Sequence, residues 1–457
     1  MTGKELLLAA ITGGRTPRSA WLPFVGVHGG KLLGVSAKEY LLSADHIVQG
    51  LRRANELYQP DGLPIVFDLQ LEAEILNCKL VWADEVPPSV VSHPLMGNGA
   101  LADLPPFDLR RGRFPLVREA TRRMAAEFGD TIALYGLITG PFTLTSHLRG
   151  SELFLDMLTG PERLHEMLAF STEIGRRCAE FYLDNGCDVV AVVDPMTSQI
   201  SSEHFSVFVS PYLNELFGFI RRKGGFSSLF VCGDATRNLE VMCRTACDNV
   251  SVDENIPLEL LCNLAKKHGK SAGGNLKLTT VLLLGKEADA MLDAIRCIDI
   301  GGNEGFILAP GCDLPYGTPE QNLKAVACMV HDDYQRQVAR TTVTLTDLGP
   351  FDDIVVPDFA SEKAVILDVI TLDSAGCAPC LYMLDAAIRA ADRANAPTEV
   401  REHKIKSREG IGYMTRMGVK NIPTVCIDGE VKFVSQIPDQ ETFIRAIEEI
   451  ARKNGKA

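Results

Sequence analysis

The stretch SLFVCGDATRN, residues 228–238, sets an apolar run, Leu229-Phe230-Val231, directly before Cys232, Gly233 and Asp234. A run without polar alternation is what a strand buried on both faces of a parallel sheet requires, and the Gly-Asp after it marks a turn. GFILAPGCDLPYGTP, residues 305–319, repeats the arrangement with Cys312. Similar short runs occur at 20–27, 63–68, 131–140, 188–194, 249–254 and 271–275, making eight with 228–233 and 305–311. Amphipathic stretches of helical period lie between them at 115–128, 161–185 and 286–300, and the first two open on proline. Eight strand–helix units over about 340 residues is the count of a (β/α)8 TIM-type barrel with insertions. A doubly wound open sheet is the competing α/β architecture; the even spacing and eightfold count favour the barrel.

The chain has 457 residues, 46% hydrophobic and 23% charged, an ordinary soluble globular composition. Its net charge of −13 argues against nucleic acid or an anionic membrane surface as the main partner. The apolar stretch after Met1 is too short to span a bilayer, no small-residue cleavage signal follows it, and no apolar run near 18 residues occurs elsewhere. These features predict a cytoplasmic protein. Thirteen cysteines in a chain this long do not suggest a disulfide scaffold; in a reducing compartment their spacing points to metal or redox chemistry.

In a barrel of this type the C-terminal strand ends build the active site. The expected rim residues are His28-Gly29-Gly30, Asp68 with Glu72 and Glu74 behind it, Gly140-Pro141-Phe142, Asp194-Pro195, Cys232, Asp253-Glu254, Asn275 and Cys312. His147, after the third strand, can line the mouth or sit on an exposed loop, and Asp194 can bind substrate or cap the next turn. Cys243 and Cys247, four apart on an expected helix, read as core. Glu203-His204 read as surface. No G-x-G-x-x-G or phosphate loop stands in a convincing context.

Near residue 346 the texture changes to a proline- and acid-rich stretch, 346–361, read as a linker between a barrel at 1–345 and a second domain at 362–457. The second domain shows a strand, Cys377-Ala378-Pro379-Cys380, a helix, then NIPTVCIDGEVKFVSQIP as two strands turning at Asp428-Gly429, and a closing helix. A helix N-terminus favours a thiolate at Cys377, and Cys380 can resolve a mixed disulfide. The segment resembles a thioredoxin-like domain of the small variety with glycine, here Gly376, before the first cysteine. Ile422-Pro423-Thr424 matches that family's proline, which is cis and faces the C-x-x-C loop. A chance or metal-binding C-x-x-C is the alternative.

FDLQLEAEILNCKL, DVVAVVDPMTSQISSEHFSVFVSPYLNELF, FVCGDATRNL and GFILAPGCDLPYGTPEQNLKA together resemble the uroporphyrinogen decarboxylase superfamily over about residues 1–345. Within it they look like the cobalamin-dependent branch, the methylcobalamin:coenzyme M and methyl halide methyltransferases. The A-P-G-C-D-x-P-x-x-T-P-x-x-N stretch is the most specific part. Asp68 falls near the decarboxylase aspartate, but the family's R-Q-A-G-R motif is missing from the N-terminal region, which disfavours uroporphyrinogen decarboxylation. The resemblance implies zinc held by an H-x-C pair at the fifth strand end and by the A-P-G-C cysteine. Cys232 and Cys312 match two of these ligands; the histidine position is Phe230.

Three outcomes follow from that departure. His28 can substitute as third ligand, with Asp234, Glu72 or Glu74 behind it. Cys232 and Cys312 can instead be a redox pair, giving the C-x-x-C domain a disulfide to reduce. Both can be buried, unreactive thiols. The leading expectation is a methyltransferase moving a methyl group between a corrinoid and a thiol or folate-like acceptor. Cys232, Cys312, Asp68 and Asp194 are its candidate catalytic residues, Asn275 and His147 its candidate cofactor-binding residues, and Cys377, Cys380 and Pro423 the redox set. No D-x-H-x-x-G segment is present, so the corrinoid is expected on a partner protein. A thiol-redox or ligand-binding protein, and a tetrapyrrole-modifying enzyme, are the alternatives.

Overall fold

The computed structural model describes residues 1–344 and 351–456. It divides into two compact units, Met1–Thr346 and Asp347–Ala457. Among the described residues no helix is long and apolar enough to cross a membrane.

The first unit contains an eight-stranded parallel sheet that curls into a nearly closed (β/α)8 barrel. Its strands are β1 (Ala20–Trp21), β2 (Gly62–Pro64), β3 (Ala133–Thr139), β4 (Val189–Val193), β5 (Phe226–Val231), β6 (Asn249–Val252), β7 (Ser271–Leu276) and β8 (Phe306–Pro310). All eight apolar runs thus become strands, in the order β1-β8-β7-β6-β5-β4-β3-β2. The seam lies between the short β1 and β2, where Asp61 spans it. Its backbone N–H donates to the Trp21 carbonyl, and its carboxylate accepts from the Trp21 N–H at 2.8 Å and from the Arg18 guanidinium at 2.6 and 2.8 Å.

Alternate residues along each strand point inward. Tyr135 and Leu137, Val189, Ala191 and Val193, and Ile307 and Ala309 pack with Phe24, Phe67 and Phe230 inside the barrel. The intervening residues face the helix layer, so both faces are apolar and the sequence shows no alternation. The expected helices form at Phe114–Phe128, Pro161–Asp184 and Glu287–Gly301. Between β2 and β3 an insertion carries a short helix, Leu71–Ile75, and an antiparallel hairpin of Leu80–Val81 with Ser89–Val90.

The second unit is a four-stranded sheet of β9 (Val365–Thr371), β10 (Thr398–Lys404), β11 (Thr424–Ile427) and β12 (Glu430–Val434), in the order β10-β9-β11-β12. β9 and β10 are parallel, while β9–β11 and β11–β12 are antiparallel. Helices Ala378–Arg393 and Gln440–Lys453 cover one face, where Val365, Leu367 and Val369 meet Met383, Ala387, Phe443 and Ile447. β10 and the helix Arg408–Arg416 were not expected from the sequence. β10 is a charged edge strand, and edge strands carry charge where central ones carry apolar runs. Positions 345–350, the first part of the expected linker included, lie outside the described residues. The remainder docks on this unit: Arg408 pairs with Asp353 at 2.6 Å, and Arg416 donates to the Asp352 carbonyl at 3.3 Å.

Candidate functional site

Cys232 follows β5 directly, and Cys312 lies two residues beyond β8. β6 and β7 separate these strands in the sheet, yet the two sulfurs meet at 2.7 Å over the barrel mouth. Both side chains are half-buried. They rest on a phenylalanine floor, with Phe230 stacked on Phe24 at 4.9 Å between centroids and edge-on to Phe67 at 6.0 Å. Phe230 and Cys232 are two apart on one strand and so share a face; the aromatic ring fills the space below the thiols.

The loops that present the thiols are pinned. Gly233 takes φ +85°, a backbone that favours glycine, and its N–H donates to Asp253 at 2.9 Å. A Cβ on Gly311 would lie 2.5 Å from the Glu254 backbone nitrogen, so only glycine fits beside Cys312. The Gly311 N–H reaches the Leu276 carbonyl at 3.0 Å, Leu314 N–H reaches the Phe24 carbonyl at 3.0 Å, and Asp313 accepts from the Gly26 N–H at 2.8 Å. Asp253 and Glu254 are both raised, Asp253 by burial and Glu254 by burial and then by the neighbouring Asp253 charge. Glu254 accepts from the Leu278 N–H and, at 3.3 Å, from the Thr279 hydroxyl.

His28 does not supply a third ligand to the thiols. Its Nδ1 faces the Tyr316 carbonyl at 3.2 Å, which can only accept, so this nitrogen carries the proton. Its Nε2 then accepts from the Tyr58 hydroxyl at 2.8 Å. Burial pulls its pKa from 6.5 down to about 4. A histidine with both ring nitrogens engaged and no access to solvent is a structural one. Because its folded value is depressed, its contribution to stability is present above pH 6.5 and is lost as pH falls towards 4. His28→Gln removes this titration while the other groups cancel between the two proteins. The stability of the wild type relative to His28→Gln is therefore expected to fall by about 3 kcal/mol between neutral pH and pH 4, read by urea unfolding at each pH. A pH-independent difference would refute it.

The remaining rim residues divide into two groups. Asp68 is buried and paired with the Arg113 guanidinium, which also donates to Glu74 at 2.8 Å and lies 4.9 Å over the Trp82 ring. Asp68 accepts the Gln70 N–H as well, at 2.8 Å. Arg113 and Trp82 carry no motif that would have marked them: Arg113 is one of three nearby arginines in LRRGRFP, and the sequence does not say which is buried.

The other group is scaffold. Asp194 accepts from the Thr143 N–H at 2.8 Å, the Thr143 hydroxyl at 2.6 Å and the Phe142 N–H at 3.3 Å, so it caps the start of helix Pro141–Arg149, and burial raises it to about 6. Glu72, raised by burial, takes the Thr139 N–H and hydroxyl at 3.1 and 2.8 Å. Asn275 donates to the carbonyls of Asp253 and Ile256 at 3.0 and 2.7 Å. His147 is buried in its helix, with its pKa pulled down to about 3 by burial and then by His93. Cys243 and Cys247 are buried, as expected of core residues.

The zinc set implied by the resemblance is not assembled. Among the described residues no group of three or more histidine, cysteine, aspartate or glutamate side chains is placed to hold a metal. Two sulfurs alone fall short of the three protein ligands a catalytic zinc ordinarily takes.

The chain is similar in sequence to several known proteins. Methylcobamide:CoM methyltransferase MtbA of Methanosarcina acetivorans is 27% identical over 278 residues, covering 60% of this chain and 80% of that protein. Methylated-thiol–coenzyme M methyltransferase of Methanosarcina mazei is 28% identical over 262 residues, 57% and 69% of the two chains. Uroporphyrinogen decarboxylase of Anaeromyxobacter dehalogenans is 29% identical over 224 residues, 48% and 63%. The solved structure of a methyltransferase from Methanosarcina mazei superposes with a TM-score of 0.67 at 23% identity, covering 73% of this chain and 99% of that one, which shows a shared fold. The uroporphyrinogen decarboxylase (URO-D) family profile matches residues 2–332. With its eight-stranded barrel and that match over most of its length, this chain belongs to the URO-D family.

Proposed function

We propose that the chain is a methyltransferase moving a methyl group between a methylated corrinoid, carried by a partner protein, and a thiol or folate-like acceptor at the barrel mouth. The observation that carries this reading is the meeting of Cys232 and Cys312 at 2.7 Å over the strand ends, in a chain 27% identical over 278 residues to a methylcobamide:CoM methyltransferase. The phenylalanine floor beneath them suits a methyl group, which has no hydrogen-bonding atom to satisfy. The thiols position or receive the methyl group, and Phe24, Phe67 and Phe230 keep water from below. Arg113 holds Asp68 in place at the rim. No step is assigned to a metal, because the donor set for one is not assembled.

Decarboxylation of a tetrapyrrole is the less supported reading. It requires an available aspartate, and Asp68 is buried against Arg113. For the C-terminal domain expected at 362–457 we infer thiol–disulfide exchange in a thioredoxin-like fold. Cys377 stands at the N-cap of helix Ala378–Arg393, its sulfur 2.6 Å from that of Cys380. Burial pushes the Cys380 thiol well up, which suits a resolving rather than an attacking thiol.

The test follows loss of the methylcobalamin spectrum in the presence of the full-length chain, with a panel of small thiols and folates as acceptors. Transfer to at least one acceptor is expected, falling about 100-fold in Cys232→Ser, the scale of a misplaced reacting group. Absence of transfer to every acceptor, or full activity in Cys232→Ser, would overturn the proposal.

A further inference from the structure

We propose that Cys232 and Cys312 are an oxidative modification site: a reversible dithiol–disulfide pair whose oxidising co-substrate is hydrogen peroxide. The pair is presented as such a site should be. Its sulfurs are 2.7 Å apart, and both thiols are half-buried, so a small oxidant can reach them. The loops carrying them are fixed on each side, by Gly233 on Asp253 and by Gly311 and Asp313 on Leu276 and Gly26. The position that would supply a nitrogen ligand holds Phe230, whose ring is engaged with Phe24 and Phe67. His28 is turned to Tyr58 and Tyr316. Among the described residues the donor set thus favours sulfur chemistry over metal binding.

The reaction balances as two steps. One thiolate attacks the peroxide O–O bond, forming a sulfenic acid and releasing hydroxide, which takes up a proton to become water. The second thiol then attacks that sulfur; the S–O bond breaks, a second water leaves, and the S–S bond forms. The sulfurs lose two electrons in all, and the peroxide gains them. Reduction by an external dithiol reverses the change by exchange through a mixed disulfide. β6 and β7 lie between the joined strands, so the new bond spans the mouth instead of linking sheet neighbours. It removes both thiols from the face where a methyl group would arrive. This inference does not rest on methyl transfer: disulfide formation is read on the protein itself, so the two proposals fail separately.

The experiment uses full-length protein carrying Cys377→Ser and Cys380→Ser, so that the other dithiol is silent. The reduced protein is treated with stoichiometric hydrogen peroxide, alkylated, and mapped by mass spectrometry without reduction. A single cross-linked peptide pair containing Cys232 and Cys312 is expected, lighter by two hydrogens, with alkylation of both residues lost. Dithiothreitol restores alkylation, and oxidation raises the melting temperature. In parallel, the reduced protein is challenged with zinc against a chromophoric chelator, and no stoichiometric uptake is expected. The proposal is overturned if both thiols stay alkylatable after peroxide, if they end as sulfinic acids without cross-linking, or if one equivalent of zinc binds and protects them. These readouts come from protein with both barrel cysteines intact, so none depends on a barrel variant that might fail to fold.

Discussion

Arg113→Met is expected to destabilise the barrel unit by about 3–5 kcal/mol, the scale for breaking a buried ion pair from one side. Arg113 and Asp68 have side-chain exposures of 4% and 0%, so water cannot replace the lost partner. Methionine keeps most of the arginine stem's volume and contact with Trp82, which isolates the charge effect. What remains is a buried carboxylate with the Gln70 N–H as its hydrogen-bond donor. Urea unfolding at pH 7 checks this. The double variant Arg113→Met with Asp68→Asn should recover much of the loss at pH 7, since the fully buried charge is then gone and Glu74, 29% exposed, remains open to water. Equal deficits in the single and double variants would show that the arginine acts through packing alone.

Phe230→Ala is expected to cost about 3–5 kcal/mol, the range for emptying a buried phenylalanine site. The ring is fully buried and touches both Phe24 and Phe67, so its removal opens a cavity directly beneath the thiols and forfeits two aromatic contacts. Phe230→His tests the same position chemically. An imidazole there leaves polar atoms in an apolar cluster, a penalty of about 1–3 kcal/mol in the absence of metal. It also adds a nitrogen two residues before Cys232, on the same face of the strand. Zinc should therefore raise the melting temperature of Phe230→His and leave the wild type unchanged, because a ligand stabilises only a fold that binds it. An equal zinc response in both proteins, or none in the variant, would remove the idea that Phe230 decides against metal here.

Much of the fold was legible because parallel strands covered by helices carry uninterrupted apolar runs. Val189–Val193 and Phe306–Pro310 could be read without any knowledge of their neighbours. Thr398–Lys404 could not. It is an edge strand whose TEVREHK composition matches a solvated loop, and pairing with Val365–Thr371 makes it a strand. Within the site, Cys232 and Cys312 were legible as a pair because each ends an apolar run. His28, read as the end of the first strand and a substitute ligand, lies seven residues past that strand, at the start of helix His28–Leu33. Its ring is held by Tyr58 and Tyr316, 30 and 288 positions away, and nothing local reports such contacts. Asp194 was open between substrate binding and capping, and its bonds to Phe142 and Thr143 make it a cap.

The sequence by itself determined the number and chain order of the barrel strands and the two cysteines at their ends. Each of these is a property of one short segment: an apolar period, a turn, a side-chain identity. Only the tertiary structure decided that the two sulfurs meet, that His28 turns away from them, and that Asp68 is locked by Arg113 at its rim. Those outcomes depend on which atoms from distant segments compete for one another once water is excluded, and that competition exists only when the barrel closes.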